Sequence, residues 1–129
     1  MALKKEQSNK AFYQPVIDTI VVQEMSQYSE KAEYYNTIFH EVVHSTGHSS
    51  RLNRIKDTAR FASESYSKEA LLAELGSAYL VNAAGLETLS SFENSAAYIQ
   101  GWLPALKDDK RFIVSAAGKV EKAVRLILG

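Results

Sequence analysis

The sequence predicts a small α+β domain, mostly helical, with a β-hairpin near its N-terminal end and about four helices after it. Three observations predict this class. β-Branched and aromatic residues cluster between Phe12 and Val22, whereas from Ser29 onward apolar residues recur at intervals of three and four. The 129 residues, 46% of them hydrophobic, suffice for one buried core and are too few for two ordinary domains. Residues 1–10 are polar and Lys-rich with little periodicity, so they read as a flexible lead or the end of a linker, and residues 11–129 as the domain.

The hairpin is expected from Phe12-Tyr13, a turn near Pro15, and Asp18 to Val22 with Thr19, Ile20, Val21 and Val22. A hairpin alone is marginal, so it should pack on the first helix, where its edge strand is suited equally to binding an extended peptide or to being covered core. The first helix is expected from about Ser29 to Thr46. Ser29 is its N-cap, Glu30 and Glu33 lie where the helix dipole favours negative charge, and Gly47 stops it. Ala32, Tyr35, Ile38, Phe39, Val42 and Val43 form its apolar stripe. A second helix runs from a Ser67 cap to a stop at Gly85. A third spans about Glu93 to Leu106, with Tyr98 and Trp102 as core anchors and Pro104 bending or ending it. Asp108 or Asp109 then caps a last helix to Leu128, with Phe112, Ala116, Val120, Ala123 and Ile127 on one face.

Within the first helix lies His40-Glu41-Val42-Val43-His44, the most informative pentapeptide of the chain. Helix positions four apart differ by roughly 40° around the axis and about 6 Å along it, so both imidazoles can reach one metal ion. Glu41 is offset by roughly 100°, and its carboxylate can stand beside that ion and hold a water. The bland alternative, two histidines on a partly exposed face, is weakened because two of only three histidines fall here with a Glu in the general-base position.

A catalytic zinc site needs three protein ligands and one open vertex. The chain has no cysteine, and Ser50 stands where the extended zinc-protease pattern has its third His, although Gly47 fits that pattern. His48 follows His44 too closely to join the same site without a sharp turn. Glu74, within the apolar part of the second helix and followed by the small residues Gly76, Ser77 and Ala78, is the leading third ligand; those small residues let the helix pack close to the His helix. Glu69 reads as a first-turn acid complementing the dipole, with a minor claim to the same role.

These residues resemble a known family. Phe39 to His48, Arg51-Leu52, and Glu69 to Leu80 with Ala73-Glu74-Leu75-Gly76 resemble the zincin-like metallopeptidase domain of ArdC-type antirestriction proteins, related to domains of conjugation primases and phage polyvalent proteins. Phe12 to Ile20 upstream, and Ala97-Tyr98-Ile99 with Trp102 downstream, extend the likeness from about Ala11 to Leu128. The resemblance implies a zincin-like fold binding Zn2+ through His40, His44 and Glu74, with Glu41 as general base. Full-length members carry an N-terminal domain that binds single-stranded DNA, so DNA contact is expected only through such a domain, for which this chain has no room.

Composition narrows the partners. Lys plus Arg and Asp plus Glu are both 15, so no overall basic field recruits nucleic acid. No signal-peptide pattern and no apolar run near about 18 residues is present, which leads to the expectation of a cytoplasmic protein acting on a peptide or protein substrate, with no membrane partner and no oligomeric state specified. No repeat or phosphate-binding glycine loop competes with the His motif. Residues 48–66 should form a functional wall, in which Arg51, Arg54, Lys56 and Arg60, interleaved with Leu52, Ile55 and Phe61, either face solvent, contact phosphate or an acidic partner, or include one arginine paired with a buried carboxylate behind the metal. Tyr66, Tyr79 and His48 are candidates for oxyanion stabilisation, and Asp57 and Glu64 for orienting the imidazoles. The expected activity is zinc-dependent peptide hydrolysis. The rival readings are a non-catalytic, metal-stabilised binding module acting in antirestriction, and a structural zinc domain closed by a fourth ligand such as His48.

Overall fold

Thr19–Val22 carries four β-branched residues in succession and is buried along its whole length, as a central strand should be. The computed structural model describes residues 1–7, 9–55 and 64–129. Their order is β1 (Ala2–Lys5), β2 (Phe12–Gln14), β3 (Thr19–Val22), a 3₁₀ turn at Met25–Gln27, then α1 (Lys31–Ser45), α2 (Glu64–Ala83), α3 (Leu89–Gln100), α4 (Leu103–Asp108) and α5 (Lys110–Leu128). The class is α+β and mostly helical, as expected. None of the described helices is long and apolar enough to cross a membrane.

The expected hairpin is present, with β2 antiparallel to β3 in the register Phe12↔Val21, Tyr13↔Ile20 and Gln14↔Thr19. Its turn closes through Asp18 N–H donating to the Pro15 carbonyl at 3.1 Å, with Asp18 in the left-handed region at φ 47°. A third strand joins it. Ala2–Lys5, read from sequence as part of a flexible lead, pairs parallel with β3, giving the order β1-β3-β2. All four β1 residues are exposed, so no apolar alternation betrays the strand; its backbone pairing holds it, helped by the Lys5 ammonium 5.6 Å from the centre of the Tyr34 ring.

α1 lies between two cores. On one side Ile20, Val22 and Tyr34 gather Tyr13, Tyr35, Ile38 and Val42. On the other, Val43 packs with Leu72, Ala73 and Leu80 of α2 and with Ala123 and Val124 of α5. Adjacent residues of α1 thus serve opposite clusters, Val42 toward the sheet and Val43 toward α2. Gly76 makes the second contact close: a methyl group there would lie 2.9 Å from Val43 Cγ2.

Several boundaries move. Glu30, not Ser29, is the α1 N-cap, and the Ser29 hydroxyl donates to the Glu33 carboxylate at 3.1 Å. The segment expected as one helix from Glu93 to Leu106 is two, because the chain turns at Gly101 and Trp102, and Pro104 opens α4 in its first turn, where a missing N–H costs nothing. Asp109 caps α5 by accepting from Phe112 N–H at 3.1 Å. Trp102 is half-buried, with its ring edge-on to Phe112 at 5.7 Å. Tyr98, expected as a core anchor, is exposed.

The β2–β3 turn is tied to the loop after α1. Arg51 donates to Asp18 Oδ1 through its guanidinium and to the Ser45 carbonyl through Nε at 2.8 Å, and Tyr13 Oη donates to Asp18 at 2.7 Å. The Arg51 hydrogen bond holds the Asp18 carboxyl well below the usual range, and burial together with Asp18 pushes the Tyr13 phenol up to about 12.

Two outcomes follow from these contacts. Gly76→Ala forces the α1–α2 contact apart and should lower stability by about 1–3 kcal/mol, read as a fall in Tm. Because the folded Asp18 carboxyl titrates below the unfolded one, its contribution is whole above about pH 4 and disappears as pH falls toward the folded value. Asp18→Asn, which keeps the left-handed turn, should cost about 1 kcal/mol at pH 7 in denaturant titrations and flatten the loss of stability as pH falls below about 4. An acid limb as steep as the wild type's would remove Asp18 as its source.

Candidate functional site

Helical spacing puts His40, Glu41 and His44 on the part of α1 that faces a groove of about 790 Å³. The two imidazoles lie 4.9 Å apart between ring centroids at 74°, edge to face. Glu41 is only 8% exposed. Burial raises its carboxyl above the usual range, against the pull of His44, His40 and a hydrogen bond from the Tyr13 backbone N–H.

α2 supplies the facing acids. Glu69 and Glu74 are five positions apart on one helix, and each meets a different histidine. Glu69 Oε2 is 2.8 Å from His44 Nδ1, and Glu74 Oε2 is 3.5 Å from His40 Nδ1. The later His meets the earlier Glu, so α1 and α2 run antiparallel here. A carboxylate at Nδ1 favours the tautomer protonated there and leaves the Nε2 lone pair free, the form in which imidazole serves as a metal ligand.

The two acids differ in surroundings. Glu69 lines the groove together with His40, Glu41 and His44, whereas Glu74 is not among the residues lining it and accepts from the Ser95 hydroxyl of α3 at 3.1 Å. Burial alone would raise the Glu69 carboxyl, but hydrogen bonds from His44 and Arg54 outweigh it and the net shift is downward. The His40 contact lowers Glu74 against a smaller burial effect.

Arg54 organises the Glu69 side of the groove. Its Nε donates to Glu69 Oε1 at 2.9 Å and one terminal nitrogen to Oε2 at 3.1 Å, while the same group reaches the Thr46 hydroxyl at 2.8 Å and the Val43 carbonyl at 2.9 Å. It therefore bridges the C-terminal end of α1 to α2. Gly47 makes room for it: a methyl there would lie 3.1 Å from the Arg54 guanidinium and 2.9 Å from Ile55. The arginine paired with a carboxylate behind the site, one of the alternatives open in the sequence, is Arg54.

Other candidates are dispersed. His48 bonds Ser50 at 2.8 Å in the loop after α1, and Tyr79 is 56% exposed; neither lines the groove. Lys56, Asp57, Arg60, Phe61 and the side chains of Glu64 and Tyr66 lie outside the described residues. Sequence reasoning missed the Tyr13 backbone donor and Ser95; neither carries a pattern that marks it before the elements meet.

Among the described residues no three His, Asp or Glu side chains already surround one point as a metal cluster. The donor set nevertheless suits a divalent ion. Two imidazoles held at Nδ1 by carboxylates, beside further carboxylates on one open groove, are the ligand types that Zn2+ or Mn2+ accepts.

A model of the zincin-like metallopeptidase family matches residues 1–119. The chain belongs to this family. It is 39% identical over 115 residues to the DNA primase TraC of Escherichia coli, covering 88% of this chain and 8% of that protein. Among solved structures, it resembles the antirestriction protein ArdC from plasmid R388 in a metal-free form, with a TM-score of 0.77 and 39% identity over 98% of this chain and 45% of ArdC. The Mn(II)-bound form of ArdC gives a TM-score of 0.79 at 40% identity, covering 98% and 46%. The chain thus spans less than half of ArdC and a small fraction of TraC.

Arg54→Ala would leave Glu69 without its fork and should cost about 3 kcal/mol in denaturant unfolding, since one partner of a largely buried ion pair is removed. Arg54→Lys should recover only part of this, because an ammonium cannot reproduce the bidentate contact.

Proposed function

We propose that this domain is a metal-dependent peptidase-type hydrolase, with His40 and His44 as metal ligands and Glu41 as general base. The observation that carries the reading is the convergence of both imidazoles and the buried Glu41 on one groove beneath the β2 edge. For the third ligand, Glu74 was the choice from sequence. Its contact with Ser95, away from the groove, supports instead a role in orienting His40, and the place of Glu69 on the groove wall supports Glu69 as the ligand, a role in which its carboxylate would exchange the His44 Nδ1 contact for the ion. The sequence reading set Glu69 aside as a first-turn acid, but α2 begins at Glu64, one turn earlier than its expected Ser67 cap.

A divalent ion held there, Zn2+ or the Mn2+ seen in ArdC, supplies Lewis acidity toward a scissile carbonyl and its attacking water. Glu41 takes the proton of that water and returns it to the leaving amine; its raised basicity from burial suits the exchange. Glu74 and Ser95 hold the His40 ring, and Arg54 holds Glu69, so the groups stand ready before substrate arrives. The β2 edge, whose Tyr13 N–H is given to Glu41, offers its remaining outward backbone groups to an extended peptide.

The second reading is a metal-stabilised binding module acting in antirestriction, favoured by the likeness to ArdC. One set of variants separates them. Glu41→Gln should keep the metal content and Tm of the wild type while cleavage of an unfolded protein substrate falls by at least about 10²-fold. His40→Ala and Glu69→Ala should lose metal by elemental analysis, and Glu74→Ala should retain part of it. Full retention in Glu69→Ala with loss in Glu74→Ala would return the third position to Glu74. Wild type that holds metal but cleaves no better than Glu41→Gln would leave the binding module.

A further inference from the structure

The groove extends well past the histidines. Its far wall is α5, from which Arg111, Phe112, Ser115 and Lys119 all line it. Positions 111, 115 and 119 fall on one stripe of the helix and span about 12 Å, with the small Ser115 between two cations. Among the described residues neither Arg111 nor Lys119 has an ion-pair or hydrogen-bonding partner. Lys68 of α2 adds positive charge nearby, its ammonium 4.9 Å from the centre of the Phe112 ring. The facing wall is apolar and belongs to the sheet edge, with Ala11, Phe12 and Pro15.

The carboxylates of the groove are otherwise engaged. Glu69 is held by Arg54, Glu41 lies against the imidazoles and the Tyr13 backbone, and Asp109 caps α5. Positive charge is therefore in excess along α5 although the whole chain balances 15 bases against 15 acids. We propose that this wall is an acid-reading subsite: an extended peptide segment lies between β2 and α5, its apolar side chains toward Phe12 and Pro15 and an Asp or Glu side chain against Arg111 and Lys119. This names the substrate class of the same groove and rests on the peptide-hydrolysis reading above. A nucleic-acid strand fits less well, because its regularly spaced phosphates would also meet Glu41, Glu69 and Asp109.

The test uses three fluorescein-labelled probes: an Ala/Val decapeptide carrying two Glu, the same peptide carrying two Lys, and a decamer of thymidylate. Binding is followed by anisotropy to the Glu41→Gln protein with Mn2+ present, so that turnover does not consume the probe. The Glu peptide should bind about tenfold more tightly than the Lys peptide, as expected for two charge contacts at a partly open wall, and the margin should shrink as salt rises. Arg111→Glu with Lys119→Glu should abolish that preference while Tm and Mn2+ affinity stay unchanged. Equal binding of the two peptides, a preference that survives the charge reversal, or tighter binding of the oligonucleotide would each overturn the proposal. Cleavage is scored separately with wild type. A Glu-over-Lys preference without cleavage would remove the hydrolase reading and leave the acid-reading groove standing, whereas cleavage without the preference would do the reverse.

Discussion

α1 and α2 approach until Gly76 touches the Val43 side chain, with no space for one additional methyl group. Everything chemical in the molecule depends on that approach. Two antiparallel helices this close can exchange side chains along their seam, and here the exchange is His44 with Glu69 and His40 with Glu74. Were the helices held further apart, by a bulkier residue at position 76, short carboxylate arms would no longer span to the imidazoles, and each of these half-buried groups would lose its partner across the seam.

The seam is stable because each of its charges is answered. Arg54 neutralises Glu69 and simultaneously donates to the Val43 carbonyl and the Thr46 hydroxyl at the C-terminal end of α1. Ser95 and His40 satisfy Glu74. Among the described carboxylates, Glu41 alone has its basicity raised, since burial exceeds what the neighbouring imidazoles return. One carboxylate made more basic among others made less so is the separation of roles that acid–base chemistry requires.

Around this seam the remaining elements act as walls. The sheet covers one side of α1 and brings the Tyr13 backbone N–H to Glu41, and the Asp18–Arg51 contact ties its turn to the loop that carries Arg54. α5 closes the other side and packs Ala123 and Val124 against Leu72 and Leu80. The family likeness agrees with this plan, since ArdC matches it over 98% of the chain although the chain spans only 45% of ArdC.

By itself the sequence determined the elements whose signals are local. The His-Glu-His spacing, the close helix contact implied by Gly76, the β2–β3 hairpin and the Asp109 cap each depend on a few consecutive residues and on backbone geometry. Strand β1 was not legible, because its exposed side chains bear no alternation and only its pairing with β3 defines it. Nor were the different surroundings of Glu69 and Glu74, which follow from the neighbours that meet each acid: Arg54 from the preceding loop, Ser95 from the following helix. Distances between residues far apart in the chain arise only when the core closes, so partnership, burial and the charge of the α5 wall were decided by tertiary packing.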